Sequence, residues 1–266
     1  MRGTRLISIV MLVAVLLAVP AAHGSSADLV ISQVFAGGGN AGATYANDYV
    51  ELFNRGTASV DLSSWTIQYA TATGTTWSAT PLAGTLGAGR HYLVQFASGG
   101  TAGLALPSPD ATDTTNLSTA GAKVALVHAV TPLTCGASPG SCSAVAAIRD
   151  LLGYGTATDY ESAAAPALTN TTAATRATGG CTDTDGNAAD FTAETPAPRN
   201  SAAAATSCAG GSGATSLSQS AGITVNVQSS ISLSLERSAI SFGTVVVGER
   251  PAALSERVTV TSNDTV

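Results

Sequence analysis

VISQVFAGGGNAGATYANDYVELFNRGTASVDLSSWTIQY, residues 30–69, is the stretch that decides the fold. An apolar run opens it, and Gly37-Gly38-Gly39 turns the chain. Tyr49–Asn54 is a second apolar-rich run closed by Arg55-Gly56, and Val60-Asp61-Leu62 leads into Ser64-Trp65-Thr66-Ile67. Alternate side chains of a strand share a face, so Trp65, Ile67 and Tyr69 belong together. Buried, that face supplies much of the core of a sandwich with few other aromatics. The competing reading is an aromatic platform for sugar stacking, formed with Trp77. A core position is preferred for Trp65, whereas Trp77, in Thr-Gly-Thr-Thr-Trp, stays a candidate ligand contact.

Further β-rich runs surround this block. Leu29–Phe35, Tyr49–Asn54, Ser64–Tyr69, His91–Phe96 and Lys123–His128 read as strands, separated by Gly, Asn, Asp, Pro and Thr. The 28 glycines, many in Gly-Gly or Ala-Gly pairs, suit tight turns. Gly37–Gly39 is a loop rather than a phosphate cradle, since no helix follows it. No segment keeps a helical period with caps; Ala144–Leu152 comes nearest, on propensity alone.

In their order these residues resemble the lamin tail domain. The resemblance extends from Ala27 to about Cys208, through Leu86-Gly87-Ala88-Gly89-Arg90-His91-Tyr92-Leu93-Val94, Thr119–Leu126, Asp150–Gly155, and Asp190-Phe191 with Pro196-Ala197-Pro198-Arg199-Asn200. It implies an all-β chain built on an immunoglobulin-like β-sandwich, a fold that carries no chemistry of its own. It also implies a strand rather than a helix at Ala144–Leu152, which Gly153-Tyr154-Gly155 supports, and a structural role for Glu51 with Arg55. Gly99–Asn116 and Glu161–Thr178 are Ala/Thr/Pro-rich insertions expected on the surface.

The amino terminus reads as a processing signal. Arg2 and Arg5 precede the apolar run Leu6–Val19, Pro20 ends it, and Ala22-His23-Gly24 offers a cleavage site, giving a signal peptide over 1–24 and a secreted bacterial-type protein. The run of about 14 residues is short of the roughly 20 that span a bilayer, so no membrane span is expected after cleavage. Without Arg2 and Arg5, 9 basic residues face 17 acidic ones, a net charge of −8, and Lys123 is the only lysine. That balance argues against binding nucleic acid or anionic membranes. The cysteines Cys135, Cys142, Cys181 and Cys208 read as two disulfides in an oxidising compartment. Sequence leaves three connectivities open. Cys135–Cys142 with Cys181–Cys208 is favoured because each pair brackets one turn-rich segment, contributing roughly 2.5 and 3.6 kcal/mol by loop closure. Their spacing does not suit zinc.

Residues 25–208 thus form the lamin-tail-like sandwich and 209–222 (AGGSGATSLSQSAG) a Gly/Ser/Ala linker. Residues 223–266 alternate with period two at Ile223–Val227, Ile231–Leu235 and Arg257–Asn263. Phe242-Gly243-Thr244-Val245, Gly248, Val258-Thr259-Val260 and Asn263 resemble the opening of immunoglobulin-like modules of the abnormal-spindle and anchor type. Those 44 residues cannot close a sandwich of about 100, so they read as the first strands of a second, incomplete module at the front of a longer protein.

Candidate chemistry is sparse. Asp183, Asp185, Asn187 and Asp190 place oxygens around Gly186, as a Ca²⁺ loop requires, but the twelfth-position Glu is missing. An Asx-rich turn is the simpler reading. G-x-S-x-G, H-E-x-x-H and P-loop patterns are absent, and His91 and His128 are the only imidazoles past the signal. A carboxylate pair such as Asp48 and Glu51 is left open, because separation through space is invisible here. Asn116-Leu-Ser, Asn170-Thr-Thr and Asn263-Asp-Thr mark surface loops. The expectation is a secreted noncatalytic binding or scaffolding module with no catalytic residues and no obligatory cofactor. Its partner would be a protein, an envelope polymer or a glycan. The alternative is an accessory region ahead of a nuclease or phosphoesterase domain beyond Val266.

Overall fold

The computed structural model describes residues 28–208, 231–235 and 258–262. The proposed signal peptide, the linker and the predicted strand Ile223–Val227 lie outside the described residues. In chain order the larger unit contains β1 (Leu29–Phe35), β2 (Tyr49–Asn54), β3 (Val60–Asp61), β4 (Thr66–Thr71), β5 (Ser78–Pro81), β6 (Thr85–Leu86), β7 (His91–Gln95), β8 (Ala111–Thr112), β9 (Gly121–Val127), β10 (Ile148–Gly155), β11 (Ala173–Arg176), a single turn α1 (Asn187–Asp190) and β12 (Phe191–Glu194). A smaller unit, from Cys208 onward, contributes β13 (Ile231–Leu235) and β14 (Val258–Ser262), paired antiparallel.

Two sheets make the larger unit a β-sandwich: β12-β11-β1-β2-β7-β8 and β10-β9-β4-β5, with β3 and β6 as a separate ribbon. The core draws on both. Leu29, Ile31, Val50, Leu52, Tyr92 and Val94 come from the first sheet, and Trp65, Ile67, Tyr69, Val124, Leu126 and Leu152 border or belong to the second. Trp65, Ile67 and Tyr69 do share the buried face expected of them. Ala144–Leu152 is a turn that enters a strand rather than a helix. Glu161–Thr178 departs from expectation. It supplies β11, a strand inside the larger sheet between β12 and β1, not a surface excursion.

The outer face of each sheet is covered as well. On the larger sheet a bulge between Ile31 and Gln33 lets Ser32 and Gln33 both reach Glu51, at 2.5 and 3.4 Å. Glu51 is wholly buried and also accepts from the backbone N and the guanidinium of Arg199, at 2.6 and 2.8 Å. Arg199 belongs to a strap that continues the cover. Gln33 exchanges hydrogen bonds with Ala197, Ser201 bonds Asp110, and the Thr206 amide donates to the Gly89 carbonyl. Glu51 therefore pairs with Arg199, correcting the expected role with Arg55. Arg55 instead reaches Asp183 at 3.0 Å, because the turn after β2 carries it past the end of the sheet. Beneath the strap His91 stacks on Phe53 at 4.6 Å, with Nδ1 3.4 Å from Glu51 but outside hydrogen-bond geometry. Burial opposes the charge of Glu51, but His91, Arg199 and Ser32 outweigh it and hold the carboxyl below its ordinary range.

The smaller sheet is covered by residues 128–147. They build a second apolar cluster in which Leu133, Cys142 and Ile148 pack on Ala70, Trp77, Ala125, Val127 and Leu151. The Cys135–Cys142 disulfide closes this cover. Cys181 and Cys208 are disulfide-bonded too, and no cysteine is free. The lone lysine is spent here: Lys123 Nζ donates to the carbonyls of Gly74 and Gly136 and to Thr158 Oγ1. Trp77 is only 3% exposed and gives its ring N–H to the Cys135 carbonyl at 2.9 Å. Trp77 is thus a core residue of the second cluster, correcting its expected place as a ligand contact.

The glycine-rich turn is knitted into the sheet end. The Gly38 amide donates to Asp48 Oδ1, and a side chain at Gly38 would come within 2.0 Å of the Asn47 backbone. Asp48 also caps the Leu117 amide, and burial pushes its carboxyl up to about 6. Asp48 is therefore a buried cap for two loops.

Candidate functional site

Titratable groups converge where β10 meets the segments that seal its outer edge. An unpaired edge strand exposes N–H and C=O groups that must find partners. Asn187 is wholly buried and acts as that partner: Oδ1 accepts from Gly153 N at 2.8 Å, and Nδ2 donates to the Leu151 carbonyl at 2.7 Å. Further along, the Ala165 amide donates to the Gly153 carbonyl and the Gly155 amide to the Ala165 carbonyl, as a neighbouring strand would pair with β10. Glu161 completes the seal, accepting from Leu151 N at 3.3 Å and from Asn187 Nδ2 at 3.0 Å.

Arg176, at the end of β11, lies at the centre of the charge network. Its side chain is fully buried; Nε donates to the Ile31 carbonyl at 2.7 Å, and the guanidinium meets Asp150 at 2.6 Å and Asp183 at 3.1 Å. Phe191 covers its face, 4.3 Å from ring centroid to guanidinium carbon. Asp150 Oδ2 also accepts from the Ile31 amide, which ties β10 to β1. Asp150, Glu161 and Asp183 each bring a carboxylate oxygen within 4.8 Å of the others. Arg176 is paired with the first and last of them, and Arg55 adds a second contact to Asp183. Glu161 has neutral donors only among these contacts.

The electrostatics follow from that arrangement. Burial, then the charges of Asp150 and Asp183, push the Glu161 carboxyl up to about 9, with Arg176 opposing. Burial likewise raises Asp150, whose Oδ1 has no hydrogen-bond partner. For Arg176 burial disfavours the charge, but Asp150 and Asp183 outweigh it and raise the group further.

Of the four residues expected to form a Ca²⁺ loop, only Asp183 joins this carboxylate group. Asp190 accepts from Thr184 N and Oγ1 and from Gly186 N, Asn187 seals β10, and the Asp185 carbonyl accepts from Ser162 Oγ. The loop is thus closed by protein donors. The side-chain oxygens of Asp183, Asn187 and Asp190 are directed at different neighbours rather than at one centre. No local sequence pattern joins Asp150, Glu161 and Arg176: the guanidinium reaches Asp150 across 26 residues.

Beside this network lies a cavity of about 260 Å³. Cys142, Ile148 and Leu151 are among the residues that line it, with Asp159, Glu161 and Asp185. Ser162 and Asp185 hold left-handed backbone at φ 56° and 55°, a conformation unusual for residues with a side chain.

The imidazoles are separated. His91 is buried under the strap, whereas His128 is exposed, stacks on Trp65 at 4.5 Å and lies 2.8 Å from Ser64 Oγ through Nε2. Among the described residues no carboxylate pairs with His128 to complete a triad.

Among curated proteins, none matches the chain. A family model described as Lamin Tail Domain matches residues 22–132. That interval contains β1 to β9, the frame on which Arg176, Asn187 and the strap are assembled. The β1–β9 part of the sandwich thus matches a lamin tail domain.

Proposed function

We propose that the chain is a secreted, noncatalytic lamin-tail module that holds a protein, an envelope polymer or a glycan at its surface. One observation carries this reading: most of the buried polar side chains are committed to the scaffold. Glu51 binds the strap, Asp48 caps two loops, Lys123 holds loop carbonyls, and Asn187 and Arg176 seal strands. Catalytic groups are ordinarily poised toward substrate rather than consumed by structure. Among the described residues no carboxylate orients the imidazole of the exposed Ser64–His128 pair, so it makes a weak nucleophile. Disulfide-bonded cysteines support export to an oxidising compartment. Among the described residues, no helix is long and apolar enough to cross a membrane.

The test pairs two measurements on the full chain: hydrolysis of esters and nucleic acid, with and without divalent metal, and co-sedimentation with the host's insoluble envelope fraction. Silent hydrolysis with saturable co-sedimentation is the expected result. Turnover that disappears in Ser64→Ala would overturn the noncatalytic reading.

A further inference from the structure

Glu161 lies at the junction of two features: a buried charge network in which, among the described residues, it makes no ion pair, and a cavity that it lines. Arg176 is held by Asp150 and Asp183, at 2.6 and 3.1 Å. Asp150 is buried, yet its Oδ1 meets no donor, so the cluster is short of positive charge or protons. Glu161 lines the cavity together with Ile148 and Leu151, and the lining holds no Lys, Arg or His.

We propose that this cavity binds an alkylammonium group, carried by a small free amine or by the lysine side chain of a partner, with Glu161 as its counter-ion. Ile148 and Leu151 suit a short methylene stem and the Glu161 carboxylate its charged head. About 260 Å³ lies below the roughly 300–1,000 Å³ of sites for drug-sized ligands, which favours a group the size of a side chain. A guanidinium fits less well. Its planar fork is best met by a carboxylate with both oxygens open, whereas Glu161 already accepts from Leu151 and Asn187 and Asp159 from Gly140, Ser141 and Cys142. A hard divalent ion needs about six oxygen ligands, which a half-apolar cavity does not supply.

Binding is linked to a proton. In the free protein Glu161 keeps its proton at neutral pH, as a carboxyl pushed up to about 9 by burial and by Asp150 and Asp183. Entry of the ammonium leaves Glu161 ionised and releases that proton to solvent. Affinity for an amine that stays charged therefore rises about tenfold per pH unit between about pH 6 and pH 8.

The test is a methyl-resolved NMR titration of the full chain with n-butylammonium chloride. Saturable shifts at Ile148 and Leu151, with a dissociation constant falling about tenfold from about pH 7 to pH 8, are expected. Glu161→Gln should weaken binding and flatten its pH dependence. Should that variant fail to fold, the wild-type titration and its pH slope decide alone. A second titration uses lysine blocked at both backbone ends. Tighter binding than n-butylammonium assigns the site to a partner's side chain, and equal or weaker binding assigns it to a free amine. No saturable methyl shift, affinity that does not change with pH, or the same shifts produced by CaCl₂ in place of the amine would overturn the proposal.

Discussion

The two outer faces of the sandwich are covered by opposite chemistry. Over the smaller sheet, residues 128–147 lay an apolar cluster on Trp77 and close it with a disulfide. Over the larger sheet, the strap after β12 is fastened by Glu51, Gln33 and Arg199. The first cover draws on removal of apolar surface from water, which is non-directional and little affected by charge state. The second relies on directional bonds to a buried carboxylate, which stabilise only while the carboxylate is ionised and its partner present. A sandwich can therefore have one face indifferent to pH and another that responds to it.

Truncating the apolar cover should cost most. Trp77→Ala removes a buried indole and strands the Cys135 carbonyl, and should lower unfolding stability by about 4 kcal/mol in chemical denaturation, with no dependence on salt. A loss below about 1 kcal/mol would mean that residues 128–147 collapse onto the sheet without it.

Releasing the polar cover should cost less. Arg199→Ala removes the guanidinium contacts of Glu51 but keeps Ser32, Gln33 and the backbone amide at residue 199. Arg199 is itself 29% exposed in its side chain, so about 2 kcal/mol is expected rather than the full penalty for a buried pair. Hydrogen exchange should accelerate in 195–206 and not in 128–147. Equal acceleration in both would show that the covers are not independent.

Acid provides the smallest and most selective effect. The folded carboxyl of Glu51 titrates below its ordinary value. Its stabilisation is therefore complete above the unfolded carboxylate range and is lost as pH falls through the lower folded value. Protection from exchange, corrected for its intrinsic pH dependence, should fall at Ala197 and Arg199 as pH drops below the ordinary carboxylate range, while protection around Trp77 holds. A strap that stays protected in acid would place its hold in packing rather than in Glu51.

The sequence disclosed those parts of the molecule whose signal is local. Leu29–Phe35 and Tyr49–Asn54 are strands at the expected limits because apolar residues dominate them, an Asp precedes each, and Gly37 and Gly56 follow within two residues of their ends. Ala173–Arg176 went unrecognised. Four residues of Ala-Ala-Thr-Arg have neither β-branched density nor a clear alternation, and only their neighbours β1 and β12 make them a strand. Trp77 was ambiguous because its burial depends on a loop more than 50 residues away. The Asp183–Asp190 loop showed its acids but not its purpose. Asn187 completes an edge strand, and Asp183 answers Arg55 and Arg176, neither of which lies within the loop.

The place of β1 has a consequence for how the chain is made. β1 is synthesised early, yet it sits inside the larger sheet, with β2 on one side and β11 on the other. Its Ile31 amide waits for Asp150 and its Ile31 carbonyl for Arg176, partners 119 and 145 residues later. A nascent chain halted after β9 would hold β1 with an open edge and β9 without β10. Long-range pairing of this kind slows folding. The sandwich must thus be completed from the carboxyl side, after Arg176 and then Arg199 have left the ribosome, and until then its first strand is an unsatisfied template for pairing with another chain.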